Sequence, residues 1–195
     1  IASSDSVPGL FYDSPDWPPQ YLPVDEDHPV RPTEFYSLSK HMTEVICRSY
    51  VNRGKLQIAA IRPSKIVLQH EWSELRDRGT DVHNFHFWAY VEPEDVAHGF
   101  YLALELKKLS YDVFFISADD SLCSRPTLDM VKERLGSLPE IRKPEVYERN
   151  PHASIFDSDR AKKVLGFRAK SDWRRLFKRV AADDQLEATD SKNDH

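Results

Sequence analysis

Strands that alternate with amphipathic helices predict an α/β fold built on a parallel sheet. Three observations carry that prediction: residues 56–61 read as a buried strand stopped by Arg62-Pro63, a helix-like run over residues 33–52 precedes it, and residues 111–117 form a second, stronger strand that follows another amphipathic helix.

The chain opens on Ile1-Ala2-Ser3-Ser4, which reads as the end of a buried strand, and Ile1 is not an initiator methionine. The expectation is a fragment whose N-terminal part is absent. Residues 5–34 hold Pro15, Trp17, Pro18, Pro19, Tyr21 and Pro23, too proline-dense for a strand or helix interior, and predict a long ordered loop. In the helix that follows, Leu38, Met42, Val45, Ile46 and Val51 form an apolar stripe and Gly54 closes it. Residues 64–89 are irregular and polar. Pro93-Glu94-Asp95 then starts a helix whose apolar periodicity runs from Val96 to Leu106. Shorter helices are expected at residues 127–135, ended by Gly136, at 157–165, ended by Gly166, and at 173–180. The polar tail from Asp183 is expected to be disordered. No internal repeat occurs.

A chain of 195 residues suffices for one sizeable core. Its net charge of −5 supplies no basic footprint, so a nucleic-acid partner is disfavoured. Cys47 and Cys123 are too few and too far apart for a disulfide framework or a zinc site. No metal site is expected. No apolar run approaches the roughly 20 residues of a membrane-spanning helix, and no signal-peptide pattern opens the chain. The expectation is a cytoplasmic protein with reduced thiols and no membrane partner.

The chemistry centres on Tyr36 and Lys40. At i and i+4 both side chains leave one helix face, and an ammonium beside a phenol favours the phenolate that general acid–base catalysis needs. Ser4 would hold the substrate oxygen. A single Y-x-x-x-K is weak evidence in a chain with eight tyrosines, so its neighbours must carry the case.

Five segments do so in order. Ile1-Ala2-Ser3-Ser4-Asp5-Ser6-Val7-Pro8-Gly9 is similar to S-S-x-x-V-Y-G, and Tyr36-Ser37-Leu38-Ser39-Lys40 with Glu44 to Y-G-x-S-K-x-x-x-E. Residues 61–67 are similar to L-R-P-x-x-V-Y, residues 90–97 to a V-x-x-x-D-V-A element, and residues 157–167 to D-x-S-K-A-x-x-x-L-G-F. Together they resemble the C-terminal two-thirds of an extended short-chain dehydrogenase/reductase of the NAD-dependent epimerase/dehydratase family. The resemblance implies a Rossmann-like doubly wound parallel sheet, incomplete at its N-terminus, with a small C-terminal substrate-binding subdomain. Residues 1–67 would belong to the dinucleotide-binding part. Residues 68–180 would form the subdomain, interleaved with the last Rossmann helix and strand at about 93–117, and 181–195 the tail.

By position, the resemblance makes Ser4 the ligand of the substrate oxygen, Tyr36 the acid–base residue, and Lys40 the group that tunes Tyr36 and bonds the nicotinamide ribose of NAD or NADP. Pro63 and Ile66 would lie against the nicotinamide and its carboxamide. Asp5, Ser6, Lys65 and Arg76 are candidate contacts to a polar or carboxylated sugar, though for the exposed residue types a solvated surface position is the commoner fate. The family commonly forms homodimers through the helix bearing Y-x-x-x-K and the one after it, and Val45, Tyr101 and Leu104 would suit such a surface.

The departures are informative. Pro8 stands where the family has Tyr, Leu68-Gln69 stands where it has Gly-Pro, and the segment up to Tyr90 is short for a nucleotide-sugar pocket. This favours oxidation or reduction of a free sugar, as in aldose or uronate dehydrogenases, over nucleotide-sugar epimerisation or dehydration. None of the six glycines forms the G-x-x-G-x-x-G turn that cradles a pyrophosphate, so this chain alone is expected to be inactive and marginally folded. A non-catalytic dinucleotide-binding scaffold and an inactive truncated product are the readings from other classes. His83 and His86 read as surface residues, Ser4, Asp5 and His28 make a poor hydrolase triad without a G-x-S-x-G elbow, and the aromatics Trp72, Phe85, Phe87 and Trp88 read as packing.

Overall fold

The computed structural model describes residues 1–10, 17–54, 56–176 and 178. At its centre β2 (Ile58–Pro63) pairs in parallel with β3 (Tyr111–Ile116) in continuous register, from Ile58 opposite Tyr111 to Pro63 opposite Ile116. The first residues of the chain run parallel along the other edge of β2. Ile61 N–H donates to the Ile1 carbonyl at 2.9 Å, Ser3 N–H to the Ile61 carbonyl at 2.7 Å and Asp5 N–H to the Pro63 carbonyl at 3.2 Å. The sheet order is therefore residues 1–5, β2, β3. Their C-terminal ends share one edge, where open parallel sheets place their ligands.

The helices follow the sequence closely where caps are strong. α1 (Phe35–Val51) closes at Gly54, whose N–H donates to the Val51 carbonyl. α3 (Pro93–Glu105) begins with proline in its first turn, and α4 (Thr127–Leu135) ends at Gly136 with φ +77°. α6 (Asp159–Val164) is shorter than expected, with Ser158 at its N-terminal and Leu165 at its C-terminal cap position. Residues 173–176 are helical as expected, while 177, 179 and 180 and the tail expected to be disordered lie outside the described residues.

Other elements depart from the sequence reading. The proline-rich loop contains β1 (Tyr21–Leu22), two residues long, which pairs in parallel with β4 (Glu140–Ile141). So short a strand evades the breaker rule because its flanking prolines sit outside the pair. Residues 64–89 hold a 3-10 turn at Gln69–Glu74 and α2 (Leu75–Thr80), and α5 (Pro144–Arg149) has no counterpart in the sequence reading.

Side chains alternate across the sheet. Ile61, Phe114 and Ile116 pack on one face with Val96, Ala161, Leu165 and Phe167 from α3, α6 and the turn after it. On that face a Cβ added at Gly99 would stand 2.9 Å from the Ile116 side chain, so glycine permits the close approach of α3. Arg62 and Phe115 occupy the opposite face, where the Arg62 guanidinium lies over the Phe115 ring. There Phe115 joins the larger core of Trp88, Tyr90, Met130, Ile155 and Phe156.

α1 corrects the expectation drawn from its apolar stripe. Leu38, Met42, Val45 and Ile46 are exposed, and the buried residues are Ser37, Glu44 and Val51. These lie seven residues apart, one narrow ridge on a helix of 3.6 residues per turn. Polar partners hold that ridge, so hydrophobicity pointed to the wrong face. Because α1 bonds to Arg62 and α3 packs on Ile116, Val45 and the pair Tyr101 and Leu104 belong to helices on opposite faces of the sheet. They do not make the common surface expected of them.

Candidate active site

The first turn of α1 is held by Glu34. Its carboxylate accepts the Tyr36 N–H at 2.5 Å and the Ser37 N–H, satisfying two of the donors that a helix start leaves open. Burial acts to raise the Glu34 carboxyl, but its bonds from the Ser37 hydroxyl and the two amides outweigh it and hold the group below its ordinary range. This cap fixes the turn from which Tyr36, 42% exposed, projects.

One and two turns on, the helix is tied to the strand end. Lys40 Nζ donates to the Ala2 carbonyl at 3.1 Å and lies 5.6 Å from the centroid of the Tyr36 ring. Glu44 accepts the Ser3 hydroxyl at 2.5 Å and takes a forked bond from Arg62, with Nε at 2.8 Å and Nη2 at 2.7 Å. The spacing Tyr36, Lys40, Glu44 therefore becomes a single row that rests on residues 2 and 3, immediately before Ser4.

Ser4, Asp5 and Ser6 form a buried turn. Ser4 Oγ accepts the Ser6 N–H at 3.2 Å and the Ser6 hydroxyl at 3.0 Å, and donates to Asp5 Oδ1 at 3.2 Å. Burial pushes the Asp5 carboxyl up to about 7, against the bonds from Ser4 and from the Asp5 and Ser6 amides. The turn exits through Gly9, with φ +80°, where a Cβ would meet the Arg31 carbonyl oxygen at 1.9 Å.

Pro63 ends β2, and its carbonyl takes the Asp5 N–H. Ile66 makes a parallel bridge with Val91 just beyond. Lys65, between them, pairs with Glu71 at 2.9 Å, and Glu71 also takes Arg78 at 3.0 Å. Burial would raise Glu71, but the Leu68 N–H and the two cations outweigh it and hold the carboxyl at about 2. Arg76 is exposed on α2. Arg78 and Glu71, which the sequence reading passed over, are the residues that order the segment. Glu34 was missed because glutamate is an uncommon cap.

The rejected constellations have ordinary places. His28 Nε2 accepts the Gln20 N–H and Nδ1 donates to the Pro29 carbonyl, both at 3.0 Å, so the ring is fully used in the loop. His83 is exposed as expected, whereas His86 is half-buried instead of at the surface, and burial holds it down to about 4. Phe87 and Trp88 are buried in the core and Trp72 packs against it, while Phe85 lies at the surface.

The segment that carries the capped tyrosine–lysine helix, the serine-bearing strand end and the Arg-Pro strand is similar to a family of known proteins. Residues 1–85 match the NAD dependent epimerase/dehydratase family. Solved structures extend the likeness to nearly the whole chain and show a Rossmann-like α/β fold. One is a short-chain dehydrogenase/reductase superfamily protein from Agrobacterium tumefaciens with bound NAD, 19% identical, with a TM-score of 0.63, covering 98% of this chain and 68% of that one. MoeE5 in complex with UDP-glucuronic acid and NAD gives 19% identity and a TM-score of 0.58 over 91% of this chain and 61% of its own. UDP-N-acetylglucosamine 4-epimerase from Bacillus cereus gives 18% and 0.57 over 92% and 60%. The chain thus spans 60 to 68% of the length of these three structures. No curated protein matches it significantly.

Proposed function

We propose that this chain carries the proton-handling half of an NAD(P)-dependent oxidoreductase that acts on a hydroxyl or carbonyl of a sugar-like substrate. The observation that carries the reading is the row of Tyr36 and Lys40 on a capped helix start, with the Lys40 ammonium placed between the Tyr36 ring and the strand end that leads into Ser4. The donor set suits the nicotinamide half of such a cofactor: an ammonium and a half-exposed phenol for the ribose, and Pro63 and Ile66 as apolar neighbours at the strand ends. The pyrophosphate half has no glycine-rich turn in this sequence. A bound nicotinamide supplies the site that accepts or donates hydride.

In oxidation, Ser4 holds the substrate hydroxyl oxygen by donating to it, and Tyr36 takes the hydroxyl proton as the C–H hydride leaves. In reduction Tyr36 returns that proton to the carbonyl oxygen. Lys40 keeps a positive charge beside the phenol ring and offers the ribose its remaining donors. The short, internally paired segment from Gln69 to Thr80 favours a free sugar. The alternative is nucleotide-sugar epimerisation, favoured by the likeness to MoeE5 and the 4-epimerase. The exposed stripe of α1 further suggests a homodimer.

The test is NAD(P)-linked turnover of aldoses, uronates and UDP-sugars by the full-length protein. Tyr36→Phe should abolish turnover while the cofactor, still held at its ribose by Lys40, continues to bind. Full activity in Tyr36→Phe would refute the mechanism.

A further inference from the structure

The hydroxyl assigned to the substrate oxygen has no proton to spare. A serine hydroxyl has one donor and two acceptor lone pairs. Ser4 Oγ spends both lone pairs on Ser6, through its N–H and its hydroxyl, and its single proton on Asp5 Oδ1. Asp5 is itself almost fully buried, and its other oxygen, Oδ2, has no hydrogen-bond partner. A charged carboxylate so placed is costly, and the adjacent Ser4 proton is the side-chain donor it holds.

We propose that Asp5 is a positioning residue that gates Ser4: the charged carboxylate captures the only proton Ser4 can donate, and the neutral acid releases that proton to the substrate oxygen. This rests on the reading of Ser4 as the oxygen ligand. On protonation from solvent, Asp5 ceases to draw the Ser4 proton and can donate its own to Ser4 Oγ, in place of the Ser6 hydroxyl, which is free to turn. No covalent bond to carbon changes.

The charged groups of the neighbouring elements are engaged with other partners. From α1, Lys40 bonds the Ala2 carbonyl and Glu44 bonds Ser3 and Arg62, while Tyr36 is half-exposed. From β2, Arg62 is held by Glu44. From the loop between this turn and α1, Glu26 takes the Phe115 N–H, His28 is used by Gln20 and Pro29, and the Arg31 guanidinium lies 3.2 Å from the Trp17 ring centroid. The Asp5 charge is therefore answered by the Ser4 hydroxyl, its one side-chain donor among the described residues, and by the Asp5 and Ser6 amides. Burial outweighs these bonds and lifts the Asp5 carboxyl to about 7, so the gate operates near neutral pH.

Two measurements on the full-length protein test it. The first is an infrared titration of the carboxylic-acid C=O band. In the difference between the wild-type and Asp5→Asn spectra, which cancels the band of Glu26, a band lost with a midpoint near pH 7 and shifted to higher pH in Ser4→Ala supports the gate, because Ser4→Ala removes the donor to the charged form. A missing band, or a midpoint that Ser4→Ala leaves unchanged, overturns it. The second is kcat for D-glucuronate with NAD+ or NADP+, and for the corresponding lactone with the reduced cofactor.

Titration of one group near 7 lowers the competent fraction about tenfold between pH 6 and 8. The gate requires that fall in both directions, whereas a limb from Tyr36 proton transfer has opposite signs in the two. Asp5→Ala, or Asp5→Asn where the alanine variant does not fold, should abolish the shared limb, and its survival overturns the proposal. Absence of turnover at every pH counts against the sugar reading, and the infrared titration then decides the gate by itself.

Discussion

Arg62 grips Glu44 with a forked ion pair, Nε to Oε1 at 2.8 Å and Nη2 to Oε2 at 2.7 Å, and both side chains are almost wholly removed from solvent. Ser3 adds a third donor on Oε1. One carboxylate thus binds the strand end before Ser4, the helix of Tyr36 and Lys40, and the strand that ends at Pro63.

Breaking the pair from one side leaves a buried charge without its partner, which costs about 3–5 kcal/mol. Glu44→Ala and Arg62→Ala should each destabilise by that amount in urea unfolding. Replacing both together, as Glu44→Leu with Arg62→Met, should recover much of the loss, since well-packed apolar residues often match a buried pair. Ser3→Ala should cost only about 1 kcal/mol, the worth of one hydrogen bond. A double variant as unstable as the sum of the single ones would mean that the pair holds the fold through its charge.

This pair also marks what the sequence could and could not disclose. Tyr36, Lys40 and Glu44 are legible because helical spacing is a linear property, and Pro63 because proline stops a strand. The partner of Glu44 lies eighteen residues away across a loop, and no periodicity announces it. The burial of α1 was misread for a related reason: Ser37 and Glu44 are buried through hydrogen bonds, while the apolar Leu38, Met42, Val45 and Ile46 face outward. β1 and β4 escape notice because two residues carry no alternation to detect. Arg78 was passed over for its neighbour Arg76 because the 3-10 turn that brings Glu71 to it is irregular in sequence.

Stability should fall as pH rises from about 4 to 7. Burial pushes the Glu26 carboxyl up to about 7, against the Phe115 N–H and the Arg160 charge. A carboxyl raised in the folded state contributes stability that is complete below its unfolded value near 4.5 and is lost as pH climbs through the folded value. One such group gives a slope of at most about 1.4 kcal/mol per pH unit. Glu26→Gln keeps an oxygen for the Phe115 N–H and removes the titration, so its stability should be flatter across this window. Glu71, held at about 2, acts in the opposite sense and withdraws stability as pH falls below about 4.5. Chemical denaturation at pH 4.5, 5.5 and 7 checks the sign, and a Glu26→Gln variant with an undiminished slope would exonerate this carboxyl.

The exposed stripe on α1 predicts the state of assembly. Phe35, Leu38, Met42, Val45 and Ile46 recur at helical spacing on one surface, and Phe35 is 87% exposed. A monomer has no use for so continuous an apolar row, and a second copy can cover it by presenting the same helix about a twofold axis. Because Tyr101 and Leu104 lie on a helix across the sheet, they are not needed for this contact. Light scattering on the full-length protein should therefore report a dimer. Met42→Glu with Val45→Glu should give a monomer of unchanged helix content, since both side chains already face outward. Tyr101→Glu with Leu104→Glu should leave the dimer intact, and dissociation by that second pair instead of the first would move the interface to α3.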